Sequence, residues 1–146
     1  MKIGVLIPCY NAERYLSECL DSVLRQTQPG LEIFCCDDGS TDGTRQILAD
    51  YAAHHPNIHV STQANRGVSA TRNRLMDELP ADVEAFAFLD ADDYIAPEAY
   101  AALAEALVRT NADVAEMGGP PGGCVIDDMS IFLLRRTAIG GWINCW

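Results

Sequence analysis

Short apolar runs alternate with amphipathic segments along the first 117 residues of the chain. The runs are rich in Ile, Val, Leu, Phe and Cys, a composition typical of buried strands. Pro8 ends the first run, and the turn residues Pro29 and Gly30 precede the second. The pattern predicts strands over residues 3–7, 31–36, 58–61, 85–89 and 112–117.

The segments between these runs repeat apolar residues at intervals of three and four, which is the period of a helix with one buried face. In the first segment, Asn11 is a good N-cap residue for the helix that follows. Pro97 suits the first turn of the last helix. The inward-facing positions that we predict are Leu16, Cys19, Leu20, Val23, Leu24, Ile47, Leu48, Tyr51, Val68, Thr71, Leu75, Met76, Tyr100, Leu103, Ala104 and Leu107.

This alternating order of strands and helices predicts an α/β fold with a mostly parallel sheet and helices on both faces. In such sheets, ligands bind beyond the carboxyl ends of the strands. Three polar clusters follow predicted strands, at residues 8–11, 37–42 and 90–93. We therefore expect one functional site, at one rim of the sheet.

The character of the chain changes after Met117. Residues 118–123 read GGPPGG, which cannot continue a helix or a central strand. A short apolar run at 131–134 and a segment with two tryptophans follow, and neither predicts a confident element. We expect a domain over 1–117 and an atypical tail over 118–146.

Composition excludes several classes of function. Ten basic residues against 21 acidic ones give a formal charge of −11. This charge argues against nucleic acid as a partner, because binding a phosphate backbone needs Lys and Arg to neutralise it. No apolar stretch approaches the ~20 residues of a membrane span, and no signal peptide is evident. The six cysteines form no C-x-x-C pair, which indicates reduced thiols in a cytoplasmic protein.

The acidic loop at 90–93, with sequence DADD, could hold a hard cation between two carboxylates and substrate phosphates. The alternative is a solvated loop that caps the next helix. Asp37 or Asp38 could accept a hydrogen bond from a base or ribose, and Ser40, Thr41 or Asp42 could cap a helix. Arg72 could contact a phosphate, but the residues alone favour an ion pair with a rim aspartate. There is no Gly-x-Gly-x-x-Gly after the first strand and no Walker A sequence.

Taken in order, four motifs resemble the marks of family 2 glycosyltransferases, which have the GT-A fold. They are IPCYN at 7–11, DDGSTD at 37–42, NRGVSATRN at 65–73 and LDADD at 89–93. The resemblance covers residues 1–117. It implies that 118–146 is a remnant of the acceptor half and that the chain is truncated.

The resemblance also implies roles for individual residues. Pro8 and Tyr10 would line the base pocket, Asp38 would accept a hydrogen bond from the base, and Arg72 would help fix the nucleotide. Asp90 would contact the ribose and share the metal's surroundings, and Asp92 would coordinate Mg²⁺ or Mn²⁺. The nucleotide-sugar-binding set that we expect is Pro8, Tyr10, Asn11, Asp38, Arg72, Asp90 and Ala91, with Asp90 and Asp92 at the metal.

The implied reaction is an inverting transfer from a UDP-sugar to a polysaccharide, lipid or protein-linked glycan, as in cell-wall or polysaccharide biosynthesis. The general base lies downstream in such enzymes, where Asp127 and Asp128 are the only acidic pair here. Two alternative functions stay open. One is a nucleotide-sugar-binding module without transferase activity, because the acceptor half and its base are expected to be missing. The other is a receiver-like domain, disfavoured because Lys2 is the only lysine. Self-association and peripheral attachment at the inner membrane face are further expectations.

Overall fold

The computed structural model describes residues 1–117 and 131–136. In these residues a six-stranded sheet has the order β3-β2-β1-β4-β6-β5. The elements, in chain order, are β1 (Ile3–Cys9), α1 (Leu16–Leu24), β2 (Leu31–Asp37), α2 (Thr44–His54), β3 (Ile58–Thr62), α3 (Val68–Asp77), β4 (Ala85–Phe88), α4 (Ala99–Thr110), β5 (Val114–Met117) and β6 (Ile131–Arg135).

The sheet is mostly parallel, as the sequence predicted. β1 pairs in parallel with β2 and with β4, and β2 pairs in parallel with β3. β6 lies antiparallel between β4 and β5. Because β1 has neighbours on both sides, it occupies the middle of the parallel part and its side chains are almost fully buried.

Helices cover both faces of the sheet, which confirms the predicted α/β layering. On one face, α1, α2 and α4 pack against alternate residues of the central strands, including Val5, Ile7 and Ile33. On the other face, α3 packs through Leu75 and Met76 against the residues in between. This alternation of inward positions follows from the two-residue period of a strand.

β6 lies in the tail, where the sequence had predicted no element. Ile131 is 1% exposed and Leu133 is fully buried, while Phe132 between them points outward and is 42% exposed. This segment therefore belongs to the main core. The remaining tail residues, 118–130 and 137–146, include Asp127 and Asp128 and lie outside the described residues.

The prediction that Asn11 caps the first helix is wrong. A turn over residues 12–15 precedes α1, which begins at Leu16 with Tyr15 at the N-cap position and no side-chain cap. Asn11 instead has a φ of 47° and bonds to a loop far along the chain. At the next helix the N-cap position is Gly43, and among the described residues no side chain caps it, so Ser40, Thr41 and Asp42 are not caps either. Asp42 precedes the N-cap, and its Oδ1 accepts a hydrogen bond from the Thr44 amide at 3.0 Å.

Two smaller expectations can also be compared with the structure. Cys9, Cys19, Cys35 and Cys36 are buried and free, in agreement with reduced thiols in the core. Among the residues that the structure describes, no helix combines the length and apolar character that crossing a bilayer requires. Cys124 and Cys145 lie outside this part of the chain.

Candidate functional site

The loops after β1, β2 and β3 are joined edge to edge by backbone hydrogen bonds. The Asp38 amide donates to the Cys9 carbonyl at 2.8 Å, and the Gln63 amide donates to the Asp37 carbonyl at 3.0 Å. On the other side of β1, the Leu89 amide donates to the Leu6 carbonyl at 3.0 Å. The polar clusters predicted from the sequence therefore lie on one rim of the sheet.

A cleft of about 280 Å³ opens at this rim between the β1 loop and the beginning of α3. Tyr10 and Val68 are its most exposed apolar walls, with exposed fractions of 52% and 51%. The lining residues are Pro8, Cys9, Tyr10, Asp38, Asn65, Gly67, Val68 and Thr71. The structure thus brings three predicted binding residues, Pro8, Tyr10 and Asp38, into one cavity.

Asp38 forms the floor of the cleft and is almost fully buried, with 3% exposed. Its Oδ1 accepts hydrogen bonds from the Gln63 side chain and the Arg66 amide, both at 2.8 Å, and its Oδ2 accepts one from the Gly67 amide at 2.9 Å. Burial opposes ionisation, but the hydrogen bonds from Gln63 and from the Arg66 and Gly67 amides outweigh it, so the pKa of Asp38 is lowered. The carboxylate is therefore a charged acceptor that also holds the β3–α3 loop.

Gly39 brings the β2–α2 loop into close contact with the β3–α3 loop. Its φ is +76°, a conformation that side chains disfavour. A Cβ at this position would lie 2.9 Å from the Asn65 amide nitrogen and 3.4 Å from the Gln63 carbonyl oxygen. Only a residue without a side chain allows the two loops to approach this closely.

Asn11 ties the β1 loop to the β2–α2 loop. Its amide donates to Ser40 Oγ at 2.9 Å, and its Oδ1 accepts a hydrogen bond from the Thr41 amide at 2.8 Å. Asn11 is not among the residues that line the cleft. The structure therefore gives this predicted binding residue a positioning contact beside the cleft.

The two neighbouring aspartates after β2 differ in their surroundings. Asp37 is fully buried, and its Oδ2 accepts hydrogen bonds from Arg45 Nε and Nη2 at 3.1 and 3.0 Å. Its Oδ1 accepts a hydrogen bond from the Ser40 amide at 3.1 Å. Asp37 therefore fixes the loop from below, whereas Asp38 faces the cleft.

Arg72 forms the ion pair that the residues alone favoured. Its Nη2 lies 2.7 Å from Asp90 Oδ1, and its guanidinium carbon lies 5.6 Å from the centre of the Phe88 ring. Its buried Nε has no hydrogen-bond partner among the described residues. The pair joins α3 to the end of β4, immediately beside Thr71 of the cleft.

The acidic loop after β4 is a tight turn, closed by a hydrogen bond of 3.0 Å from the Asp93 amide to the Asp90 carbonyl. Asp92 is exposed, whereas the Ala91 side chain is 6% exposed and packs in the core. Burial and then the charges of Asp92 and Asp90 raise the pKa of Asp93. Ala91, predicted to bind the nucleotide, therefore has no free side chain for a ligand.

These carboxylates present hard oxygen ligands and repel one another, and both properties suit Mg²⁺ or Mn²⁺. Within residues 1–117 and 131–136, no group of three or more His, Cys, Asp or Glu side chains is arranged to hold a metal ion. Asp92 is also absent from the lining of the cleft. The donor set fits a cation that shares its coordination with phosphate oxygens of a ligand.

A larger cavity, of about 500 Å³, lies at the opposite end of the strands. It is lined by Met1, Ala81, Val83, Glu84, Arg135 and Arg136. These residues precede β1 and β4 or end β6, so the cavity is remote from the loops after β1, β2 and β4. Size alone does not make this cavity the candidate site.

Several cleft residues had no role in the sequence analysis. Asn65, Gly67 and Thr71 belong to the third motif. In that motif the sequence analysis had given a binding role to Arg72 only. Gln63 lies beneath the cleft and bonds to both Asp38 and Thr71. Its position directly after a predicted strand, at the same rim, was the available signal.

Comparison with known proteins shows which family the chain resembles. The sequence profile described as "Glycosyl transferase family 2" matches residues 4–129. The Escherichia coli K12 protein named "Uncharacterized glycosyltransferase YibD" is 38% identical over 115 residues, which cover 79% of this chain and 33% of that protein. The chain therefore spans about a third of this relative.

Solved structures give the same result for the fold. S. aureus TarS 1–349 in complex with UDP-GlcNAc is 34% identical, with a TM-score of 0.73, over 87% of this chain and 37% of that one. A mannosyltransferase from Pyrobaculum calidifontis, in complex with GDP-Man and Mn²⁺, has a TM-score of 0.79 at 20% identity, over 99% of this chain and 48% of that one. The fold is that of GT-A glycosyltransferases.

Proposed function

The chain belongs to glycosyl transferase family 2, and from this premise we propose that its cleft binds the nucleotide of a UDP-sugar for metal-dependent, inverting transfer of the sugar. The observation that carries this proposal is the cleft itself, in which the Tyr10 side chain and the Asp38 carboxylate are brought together. UDP-GlcNAc in a structure of the similar protein TarS supports the choice of uridine.

Tyr10 and Asp38 suit the two parts of a base. The half-exposed Tyr10 ring offers a flat apolar face for stacking. The ionised Asp38 can only accept hydrogen bonds, so it favours a base that carries a ring N–H, as uracil does at N3. Asp38 has about four lone-pair sites. Among the described residues, the Gln63 side chain and the Arg66 and Gly67 amides occupy three of them, which leaves one site for the ligand.

The diphosphate needs positive charge that this acidic protein does not supply in bulk, since its formal charge is −11. Arg72 is positioned at the rim by its ion pair with Asp90. Asp92, with Asp90, would hold Mg²⁺ or Mn²⁺ together with phosphate oxygens. When bound, such an ion stabilises the negative charge of a leaving diphosphate.

Inverting transfer needs an acceptor hydroxyl that attacks C1 of the sugar from the side opposite the diphosphate, while a carboxylate removes its proton. The C1–O bond to the diphosphate breaks as the new C1–O bond forms. Asp127 and Asp128, the predicted candidates for the base, lie outside the described residues. A glycan acceptor on a polysaccharide, lipid or protein, and a cytoplasmic location, stay predictions of the sequence.

The test is calorimetric titration of the chain with UDP, with and without Mn²⁺, followed by the same titration of Asp92→Asn. We expect binding that needs Mn²⁺, and a loss of about tenfold or more in the variant, because one anionic ligand to the cation is removed. The melting temperature should be unchanged because Asp92 is exposed. Asp77→Asn is the matched control, since Asp77 is exposed at the other end of α3.

Binding of equal strength in Asp92→Asn and the wild type would refute the metal assignment. Failure of the wild type to bind UDP at all would refute the nucleotide site. Release of UDP from a UDP-sugar distinguishes a transferase from the alternative, a nucleotide-sugar-binding module that does not turn over.

A further inference from the structure

Gln63 connects the floor of the cleft to a chain of charged groups on α3. Its Nε2 donates hydrogen bonds to Asp38 Oδ1 at 2.8 Å and to Thr71 Oγ1 at 3.1 Å. Its Oε1 accepts a hydrogen bond from Arg74 Nη1 at 3.4 Å. Arg74 is held in turn by Glu78 Oε1 at 2.8 Å and by the Thr62 carbonyl at 2.9 Å.

The neighbours of Gln63 allow only one orientation of its amide. A guanidinium has donors and no acceptor, so the amide oxygen must face Arg74. The amide nitrogen then faces Asp38, an ionised acceptor, and Thr71. The Thr71 hydroxyl donates to the Gly67 carbonyl at 2.8 Å, which leaves its oxygen lone pairs free to accept from Gln63. Each of these hydrogen bonds then runs from a donor to an acceptor.

This orientation has a consequence for Asp38. With Gln63 and the Arg66 amide on Oδ1, and the Gly67 amide on Oδ2, the plane of the carboxylate is fixed and the remaining lone pair belongs to Oδ2. Removal of the Gln63 amide would leave one lone pair of Oδ1 without a donor and would let the Asp38 carboxylate rotate. The carboxylate could then turn away from the direction that a base requires.

We propose that Gln63 is a positioning residue that orients Asp38 in the cleft and thereby sets the preference for a base that carries a ring N–H. The inference rests on the proposed function, because it assumes that a nucleotide occupies the cleft. Uracil donates from N3, whereas cytosine presents a lone pair there, which an oriented carboxylate repels. A site built to bond one group rejects an analogue that lacks it.

The experiment measures the affinity of UDP and CDP, with Mn²⁺ present, for the wild type, Gln63→Met and the control Gln46→Met. Gln46 lies on α2, and within the described part of the chain its side chain bonds only to the exposed side chain of Asp50. We expect the wild type and Gln46→Met to prefer UDP by about tenfold or more. In Gln63→Met this ratio should fall by about fivefold or more, because UDP loses an oriented partner and CDP loses part of its repulsion.

A second variant, Gln63→Glu, adds a signature that loss of packing does not produce. Around this position the charged groups are Asp38 on the β2 loop, and Arg74 and Glu78 on α3. The introduced carboxyl can donate to Asp38 only when it is protonated. UDP affinity, relative to the wild type at the same pH, should therefore recover as the pH falls from about 8 to 5.5.

An unchanged ratio of UDP to CDP affinity in Gln63→Met would overturn the inference alone, because a merely structural role weakens both nucleotides equally. A flat pH profile of Gln63→Glu relative to the wild type would contradict it in the same way. If the wild type binds no UDP, the proposed function fails, and this inference fails with it.

Discussion

Substitution of Gly39 tests whether the contact between the two cleft loops holds the site together. Gly39 and Gly30 both have a φ of +76°. At Gly39 an added Cβ would lie 2.9 Å from the Asn65 amide nitrogen, whereas at Gly30 the nearest atom is the Met1 carbonyl oxygen at 3.4 Å. Gly30→Ala is therefore a control that carries the backbone strain without the severe overlap.

The expected magnitudes follow from these distances. A positive φ costs an alanine about 1–2 kcal/mol, and the smaller entropy of the unfolded chain returns about 0.4–1 kcal/mol. Gly30→Ala should thus lower the free energy of unfolding by at most about 1.6 kcal/mol. Gly39→Ala should lose about 1–3 kcal/mol more, the usual cost of forcing extra atoms into a packed site, because Asn65 meets the Cβ with its backbone.

The assay is urea unfolding followed by circular dichroism, together with calorimetric titration of UDP. Gly39→Ala should weaken UDP binding by about tenfold, since the loop that carries Asn65 and Gly67 must move away from Tyr10. Gly30→Ala should leave the affinity unchanged. Equal losses of stability in the two variants, with equal affinity for UDP, would refute the view that this loop contact positions the cleft.

Two further predictions concern the core and the floor of the cleft. Leu133→Ala should lower the free energy of unfolding by about 2–5 kcal/mol because Leu133 is fully buried, while Phe132→Ala should lower it less because Phe132 is 42% exposed. Urea titrations measure both values, and equal small losses would contradict the placement of β6 in the core. Because the pKa of Asp38 is lowered in the folded protein, its ionised form contributes stability that is fully present above the unfolded pKa of about 4 and is lost as the pH falls from there through the lower folded pKa. The stability difference between the wild type and Asp38→Asn should therefore be constant above about pH 5 and shrink below it, and a difference that stays constant in acid would show that the carboxylate charge is not what stabilises the loop.

The parallel part of the fold could be predicted because it leaves a local trace. A strand with helices on both faces, such as β1 or β4, needs apolar residues at nearly every position, and the sequence shows such runs directly. The polar residues that follow these strands must then meet at one rim. The clusters at 8–11 and 37–42 were predicted to lie together for this reason, whereas the individual roles of Pro8, Tyr10 and Asp38 came from the resemblance to the family.

Other features depend on partners that are distant along the chain. Residues 131–134 of β6 are all apolar, so the alternation between buried Leu133 and exposed Phe132 cannot be seen in the sequence until the neighbouring strands β4 and β5 are known. The local sequence suggests that Asn11 is a helix cap, but its hydrogen bonds to Ser40 and Thr41 join loops that are about 30 residues apart along the chain. Only the folded structure shows these bonds. The same holds for Gln63, whose amide is oriented by groups on two other segments, the β2–α2 loop and α3.

The placement of β6 between β4 and β5 also bears on the order in which the protein can assemble. Phe86 of β4 pairs with Leu134, which is 48 positions later along the chain. While the ribosome is producing the residues in between, one edge of β4 has no neighbouring strand. β5 cannot join the sheet during this time either, because it is linked to β4 through β6. An open strand edge is a template for pairing with another nascent chain. Efficient biogenesis of this protein therefore depends on how soon residues 131–135 emerge to close that edge.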